Sequence, residues 1–375
     1  MKAAKNTEMP DPTRVEGAPH PRDTLRLYGQ SRAEADFLHA YGTGRLHHAW
    51  LLTGPRGVGK ATLAWQIAKF LLAHNEDDGA LPDHRAASAR SLATDPEAPA
   101  NRRIHAGSEP AVFELKRGAN ATGTGLSRDI RVDEVRKLKS FLHLSAAEGG
   151  RRVVIIDSAD DLNIQAANAL LKLLEEPPER VTFLLVAHQP AQLLPTIRSR
   201  CRELRLASLL PEDMAQALGA AEALEPEVDT LALAALSAGS VGEAVRLLNL
   251  DGLDTYAKLV GVLAGLPRLD RPKVLALADT VSGKQNETKF DLMLDLLDVF
   301  MARTARAGVT GPPLPEAAPN EAQLLSRLSP DPLAAMKWAA LHHELGARAR
   351  HGRSVNLDPA ALVLDMVLSM TSAAR

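Results

Sequence analysis

The residues with the plainest chemical potential are Gly54-Pro55-Arg56-Gly57-Val58-Gly59-Lys60, a G-x-x-x-x-G-K pattern. Glycines at this spacing let backbone N–H groups converge on a phosphate, and a helix opening there adds partial positive charge. Lys60 has the reach to meet the outer phosphates of a nucleotide. The pattern then departs from magnesium-assisted phosphoryl transfer. That chemistry needs a hydroxyl on the next residue to hold the metal, and the next residue is Ala61. Thr62 is no substitute, because one step along a helix turns the side chain by about 100°. The expected nucleotide contacts are therefore Gly54 to Lys60, Ala61 and Thr62, with ATP or ADP as ligand and Mg2+ held weakly.

A second chemical position is Asp157, which ends the apolar run Val153-Val154-Ile155-Ile156. An acid at the end of a buried strand near a phosphate loop is placed for magnesium. Catalysis of hydrolysis also needs a base that positions water, and the following residue is Ser158, which has no carboxylate. Asp160 and Asp161 lie past the strand end and read as loop or cap residues. Two separate losses, at 61 and 158, predict a nucleotide-binding architecture with little or no hydrolysis of its own.

These residues need a scaffold. His48 to Thr53 reads as a strand running into the Gly54–Lys60 loop, and Ala61 to Ala73 as the helix after it, with Leu63, Ile67, Phe70 and Leu71 at helical spacing. Helices are also expected over 25–41, 130–144 and 163–176, and strands over 112–115, 153–157 and 181–187. Continuous β-branched runs suit a parallel sheet covered on both faces. Strand and helix in alternation predict a doubly wound α/β domain. Strands vanish after about residue 210, where Ala and Leu dominate. The expected organisation is a disordered tail over 1–22, an α/β nucleotide-binding-type domain over 23–208, a small helical domain over 209–250 and a second one over 251–375. Within the α/β domain, residues 75–110 are rich in Asp, Pro, Ala and Ser and read as an insertion or mobile loop.

Composition narrows the function classes. The chain has 375 residues, 45% of them hydrophobic, enough for more than one core. Lys and Arg total 44 against 46 Asp and Glu, a net charge of -2, which argues against a DNA-coating protein. Aromatics at 3% leave little for a base-stacking platform. The single cysteine, Cys201, rules out an intramolecular disulfide and a multi-thiolate zinc site. No apolar run approaches the ~20 residues of a membrane span, and the first 22 residues lack an apolar signal core. A soluble cytoplasmic protein without a membrane partner is expected. His47-His48 has no third ligand spaced to complete a metal site, and Lys116, Arg117, Arg128 and Arg131 form a loose basic cluster.

Two longer segments carry a resemblance. Ala166-Ala167-Asn168-Ala169-Leu170-Leu171-Lys172-Leu173-Leu174-Glu175-Glu176-Pro177-Pro178 is similar to the helix after the acidic strand in bacterial clamp-loader AAA+ subunits. Leu194-Pro195-Thr196-Ile197-Arg198-Ser199-Arg200-Cys201 resembles their Ser-Arg-Cys segment. The segments 130–136 and 239–242 fit more loosely, so the resemblance covers about residues 25–250. It implies a P-loop AAA+ domain followed by a helical lid and an all-α collar that assembles subunits. Within the family, Ala61, Ser158 and Gly242 resemble a non-motor subunit more than the ATP-hydrolysing gamma/tau motors. Many members carry a four-cysteine zinc module after the phosphate loop; 75–110 has no cysteine, so no zinc is expected.

The resemblance further implies that Arg200 is an arginine finger acting in trans on the ATP of a neighbouring motor. A permanent, planar cation suits charge that builds on a phosphoryl group. It implies a hetero-oligomeric role in the DNA polymerase III holoenzyme, a DNA-directed DNA polymerase (nucleotidyltransferase). The implied partners are the gamma/tau motor subunits, the delta subunit, the sliding clamp and primed DNA. Two other readings stand beside this one: an ATP-hydrolysing gamma/tau-like motor, and a P-loop regulator outside replication.

Overall fold

A computed structural model describes residues 11–74, 89–120, 122–123, 125–144, 150–223 and 228–374. Contacts divide the chain into two units, one of residues 1–223 with 240–242 and the other of 224–239 with 243–375.

The first unit is built on five strands, β1 (Ala49–Thr53), β2 (Val112–Leu115), β3 (Arg152–Ile156), β4 (Val181–Ala187) and β5 (Arg202–Arg205). They lie in the order β2-β3-β4-β1-β5, and every pair is parallel. The strands β1, β3 and β4 are buried at every position, as expected of apolar runs covered on both faces. Register decides where chemistry collects. Thr53 lies opposite Ala187 and Arg205, and Ile156 opposite Leu185. The turns after β1, β3 and β4 therefore emerge at one carboxyl edge of the sheet, the usual place for ligands in such folds.

Around the sheet run α1 (Ser31–Gly42), α2 (Lys60–Ala73), α3 (Pro99–His105), α4 (Val132–Leu144) and α5 (Ile164–Glu175), then the short α6 (Pro195–Arg198) and α7 (Pro211–Ala220). Asn163 caps α5 by accepting from the Ala166 N–H at 2.9 Å. The amphipathic α5 buries Ala166, Ala167, Leu170 and Leu174 and turns Glu175 and Lys172 to solvent.

Four expectations meet a different structure. The helix foreseen from Leu25 begins only at Ser31. Gly29 has φ +69°, and Gln30 is buried with its amide donating to the carbonyls of Val58 and Ala207. Strand β5 had no apolar run to announce it, because only Leu204 of Arg202–Arg205 is buried. The tail foreseen over 1–22 lies outside the described residues as far as 10, but 11–22 packs on the α/β unit, with His20 6% exposed. Of the insertion foreseen over 75–110, residues 75–88 lie outside the described ones. The remainder contains α3, with Leu92 and Ile104 buried and the Leu92 N–H bonded to Glu34 at 2.6 Å.

The second unit is helical throughout its described residues. Its longest helices are α12 (Glu287–Thr310) and α14 (Pro332–Ser354); α8 (Thr230–Leu236), α9 (Val241–Asn249), α10 (Gly252–Leu263), α11 (Arg271–Asp279), α13 (Glu321–Leu328) and α15 (Pro359–Ala373) complete it. The Phe300 ring meets Trp338 edge-on across α12 and α14, with centroids 6.3 Å apart. Beside them Glu321 is fully buried, and its carboxylate accepts from Tyr256 Oη, Arg303 and the Ala317 N–H. A buried carboxylate of this kind is tolerable because each oxygen is matched. No single helix among the described residues is long and apolar enough to cross a membrane.

Candidate functional site

The segment Gly54–Lys60 leaves the end of β1 and opens α2, as its sequence demanded. Two glycines are required by close approach as well as by backbone conformation. Gly57 has φ +77°, and a Cβ there would lie 2.3 Å from Ser240 Oγ. Gly59, at φ +98°, caps α2, and a Cβ there would lie 2.5 Å from Leu27 Cδ1. The loop's outer carbonyls are tied down. Arg56 O accepts from Ser240 Oγ at 2.8 Å and Gly57 O from the Gly242 N–H at 3.1 Å. Gly242, one of the three positions that resemble a non-motor subunit, has no side chain and packs on Gly57.

Lys60 does not project from the loop. It is 3% exposed, and its ammonium donates to Gly54 O at 2.7 Å and Pro55 O at 2.5 Å. Burial pulls its pKa down to about 8, against the pull of Asp157 and Asp160. Ala61 and Thr62 form the first turn of α2, and Ala61 brings no oxygen to the loop.

Asp157 follows β3 and sits within reach of the loop's field. Burial, reinforced by the Glu114 carboxylate, pushes its pKa up to about 7 despite Lys60 and Lys116. At neutral pH a large share of this carboxyl holds a proton, and a protonated carboxyl is a poor magnesium ligand. The two acids beyond it are spent on structure. Asp160 accepts from the His188 and Gln189 N–H groups, and Asp161 pairs with Arg117 at 3.2 Å. Neither is free to act as a water-positioning base. His188 has its pKa lowered to about 4, first by burial and then by the charges of Lys60 and Arg56.

Between these groups lies a cavity of about 130 Å³, walled by Arg56, Arg117, Asp157, Ser158 and His188. Of the Gly54–Lys60 loop it touches only Arg56. The residues present do not fit a magnesium nucleotide in this arrangement: Ala61 brings no hydroxyl, Asp157 is partly protonated near neutral pH and the Lys60 ammonium is engaged by Gly54 O and Pro55 O.

Arg200 stands apart from that cavity, at the turn between α6 and β5. Ile197 is fully buried and Cys201 partly so, and they anchor the turn from beneath. Arg200 itself is 34% exposed; its guanidinium donates to Thr196 O at 2.9 Å and pairs with Glu175 at 2.7 Å. Sequence reasoning selected Arg200 but not Glu175, whose signal was its position as the last residue of α5. Arg202 lies over the Trp50 ring at 5.0 Å, a packing role. Burial pushes the Cys201 thiol up to about 12, which makes it unreactive. His47 and His48 stack, and His48 Nε2 is 3.0 Å from Leu174 O. No group of three or more metal-ligating side chains is present among the described residues. In the basic cluster, Lys116 and Arg117 are engaged by Asp11, Glu114 and Asp161.

Comparison with known proteins extends this. A family model described as DNA polymerase III, delta subunit matches residues 29–209. The DNA polymerase III subunit delta' of Pseudomonas aeruginosa is 35% identical over 256 residues, 68% of this chain and 71% of that one. The subunit delta' of Escherichia coli K12 is 31% identical over 323 residues, 85% of this chain and 88% of that one. Among solved structures, a gamma subunit-related protein from Thermotoga maritima aligns at 18% identity with a TM-score of 0.38, over 91% of this chain and 100% of that one. On the length and identity of the first two matches, the chain belongs to the family of DNA polymerase III delta' subunits.

Proposed function

We propose that this chain is a clamp-loader subunit of the DNA polymerase III holoenzyme that assists ATP hydrolysis in a neighbour without performing it. In this reading it assembles with gamma/tau motor subunits and the delta subunit to load a sliding clamp onto primed DNA. Its own P-loop is an architectural remnant, and Arg200 is the working group.

The observation that carries the reading is the contrast between the chain's two cationic positions. Lys60 is buried and bonded to its own loop, while Arg200 is half-exposed at a turn with its charge directed to a replaceable partner. An exposed ion pair such as Arg200–Glu175 contributes only ~0–1 kcal/mol. A phosphoryl group carries more charge and offers a fork of oxygens to a planar guanidinium, so exchange of Glu175 for the γ-phosphate of a neighbour's ATP is favourable. Arg200 then neutralises charge that grows in the transition state, the step at which an arginine finger acts.

The test is Arg200→Ala in a complex reconstituted with gamma/tau, delta, clamp and primed DNA. The variant should assemble with the wild-type stoichiometry and lower the DNA-stimulated ATPase. Unchanged ATPase in a fully assembled complex contradicts the reading.

A further inference from the structure

Arg200 has a resting partner whose placement its own helix does not explain. Glu175 is the last residue of α5. A carboxylate at that end lies against the partial negative charge of the helix dipole, where a cation is the stabilising choice. Glu176, with non-helical φ -122° and ψ 70°, caps the helix, and Pro177 and Pro178 cannot continue it. The helix therefore stops with Glu175 at a fixed point. Leu174 beside it, and Ile197 three residues before Arg200, are buried in one apolar core. The two backbones are thus held in place while the two side chains stay accessible, Glu175 at 47% and Arg200 at 34%.

The pair has the chemistry of a placeholder. Arg200 Nη2 meets Glu175 Oε1 at 2.7 Å, while Nη1 donates to Thr196 O at 2.9 Å. The carbonyl belongs to the turn that carries Arg200, so it travels with the guanidinium and fixes its direction. The carboxylate comes from another helix and can be left behind. It offers the guanidinium what a phosphoryl group offers, anionic oxygen at hydrogen-bond distance. A carboxylate and a phosphate therefore compete for the same cation.

We infer that Glu175 is a latch on the trans-acting guanidinium, holding Arg200 in reserve until a neighbour's γ-phosphate comes close enough to displace the carboxylate. The latch regulates the role proposed for Arg200 and rests on it. An exposed pair of this kind is made about 1.4 to 5 times as often as it is broken. The guanidinium is then released in ~15–40% of molecules. Removing the competitor raises the engaged fraction about 2- to 6-fold wherever engagement by phosphate is weak. Where the subunits close tightly and engagement is complete, the latch no longer matters. Glu175 acts through Arg200 and touches no nucleotide, which makes it a positioning residue.

The test is the ATPase of the complex reconstituted with gamma/tau and delta, first without DNA and then with clamp and primed DNA. It compares wild type, Glu175→Gln, Glu175→Ala, Arg200→Ala and the double variant Glu175→Gln with Arg200→Ala. Without DNA, both substitutions at 175 should raise the rate about 2- to 6-fold. With clamp and primed DNA, where engagement is strongest, the difference from wild type should close. In the Arg200→Ala background Glu175→Gln should change nothing, a dependence that a purely structural pair would not produce. A DNA-free rate at or below wild type in the 175 variants overturns the latch, and a lowered DNA-stimulated rate in Arg200→Ala then leaves the finger standing. A gain that persists without Arg200 also overturns the latch. Should one 175 variant fail to fold, the other decides; failure of both would make the pair a structural brace and overturn the inference. Arg200→Ala that matches wild type under both conditions overturns the finger itself, and the latch with it.

Discussion

Replacing Asp157 with asparagine should make the α/β unit more stable at alkaline pH than at acid pH, relative to wild type. Burial and the Glu114 carboxylate raise this carboxyl from 3.8 to about 7. Below pH 3.8 it is protonated whether the chain is folded or not. Between 3.8 and 7 the folded chain holds a proton that the unfolded chain has released, so each rise of one pH unit costs about 1.36 kcal/mol. Above 7 the carboxyl is charged in both states and the full cost, with a ceiling of about 4 kcal/mol, is in place. Asparagine never ionises. Between pH 5 and pH 8.5 the variant should therefore gain about 2–3 kcal/mol on wild type. His188, lowered to about 4 from 6.5, slopes the other way over pH 4–6.5, but it is common to both proteins and cancels. Urea unfolding followed by tryptophan emission measures this, in a Trp338→Phe background where only Trp50 and Trp65 of the α/β unit report. A stability difference that does not change between pH 5 and 8.5 refutes the reasoning, because it would mean that Asp157 titrates as an ordinary carboxylate.

Two further predictions follow from named contacts. In the helical unit, Glu321→Ala leaves the partly buried Arg303 and the buried Tyr256 without their shared acceptor. Breaking a buried pair of this kind costs about 3–5 kcal/mol, readable as an earlier urea midpoint in the emission of Trp338. On the surface, Glu175→Gln removes the partner of Arg200 from a half-exposed pair. The melting profile should hold within about 1 kcal/mol of wild type; a larger loss would show that the pair is a structural brace and not a replaceable resting contact.

Local chemistry was legible in the sequence wherever one short segment carried it alone. The glycines of Gly54–Lys60 and the run Val153–Ile156 announce a phosphate loop and a buried strand without help from elsewhere. Strand and helix in alternation announced a doubly wound α/β domain, whereas the order β2-β3-β4-β1-β5 is set by packing between distant segments. What escaped was decided by partners far along the chain. Asp11 and Lys116 are 105 positions apart, so residues 11–22, polar and holding three prolines, carry the composition of a disordered tail although they pack. Strand β5 escaped because Arg202-Glu203-Leu204-Arg205 shows no apolar run; it pairs on one side only, and its charged side chains meet solvent. Arg200 was legible as a residue type within a motif, but its resting partner Glu175 lies on another helix. The losses at Ala61 and Ser158 were visible at once. That Lys60 is also withdrawn into its own loop is a three-dimensional fact that no spacing reveals.

The central claim is that this subunit contributes a cation to its neighbour's ATP and consumes none itself. It is tested most directly by the single-turnover ATPase of the reconstituted complex on primed DNA, with Lys60→Ala and Arg200→Ala introduced separately into this chain. Lys60→Ala is expected to leave the rate at wild-type level, while Arg200→Ala should slow hydrolysis at the adjoining motor by a factor on the order of 10³. A rate that falls with Lys60→Ala and holds with Arg200→Ala would contradict it, and would mark the chain as a motor in its own right.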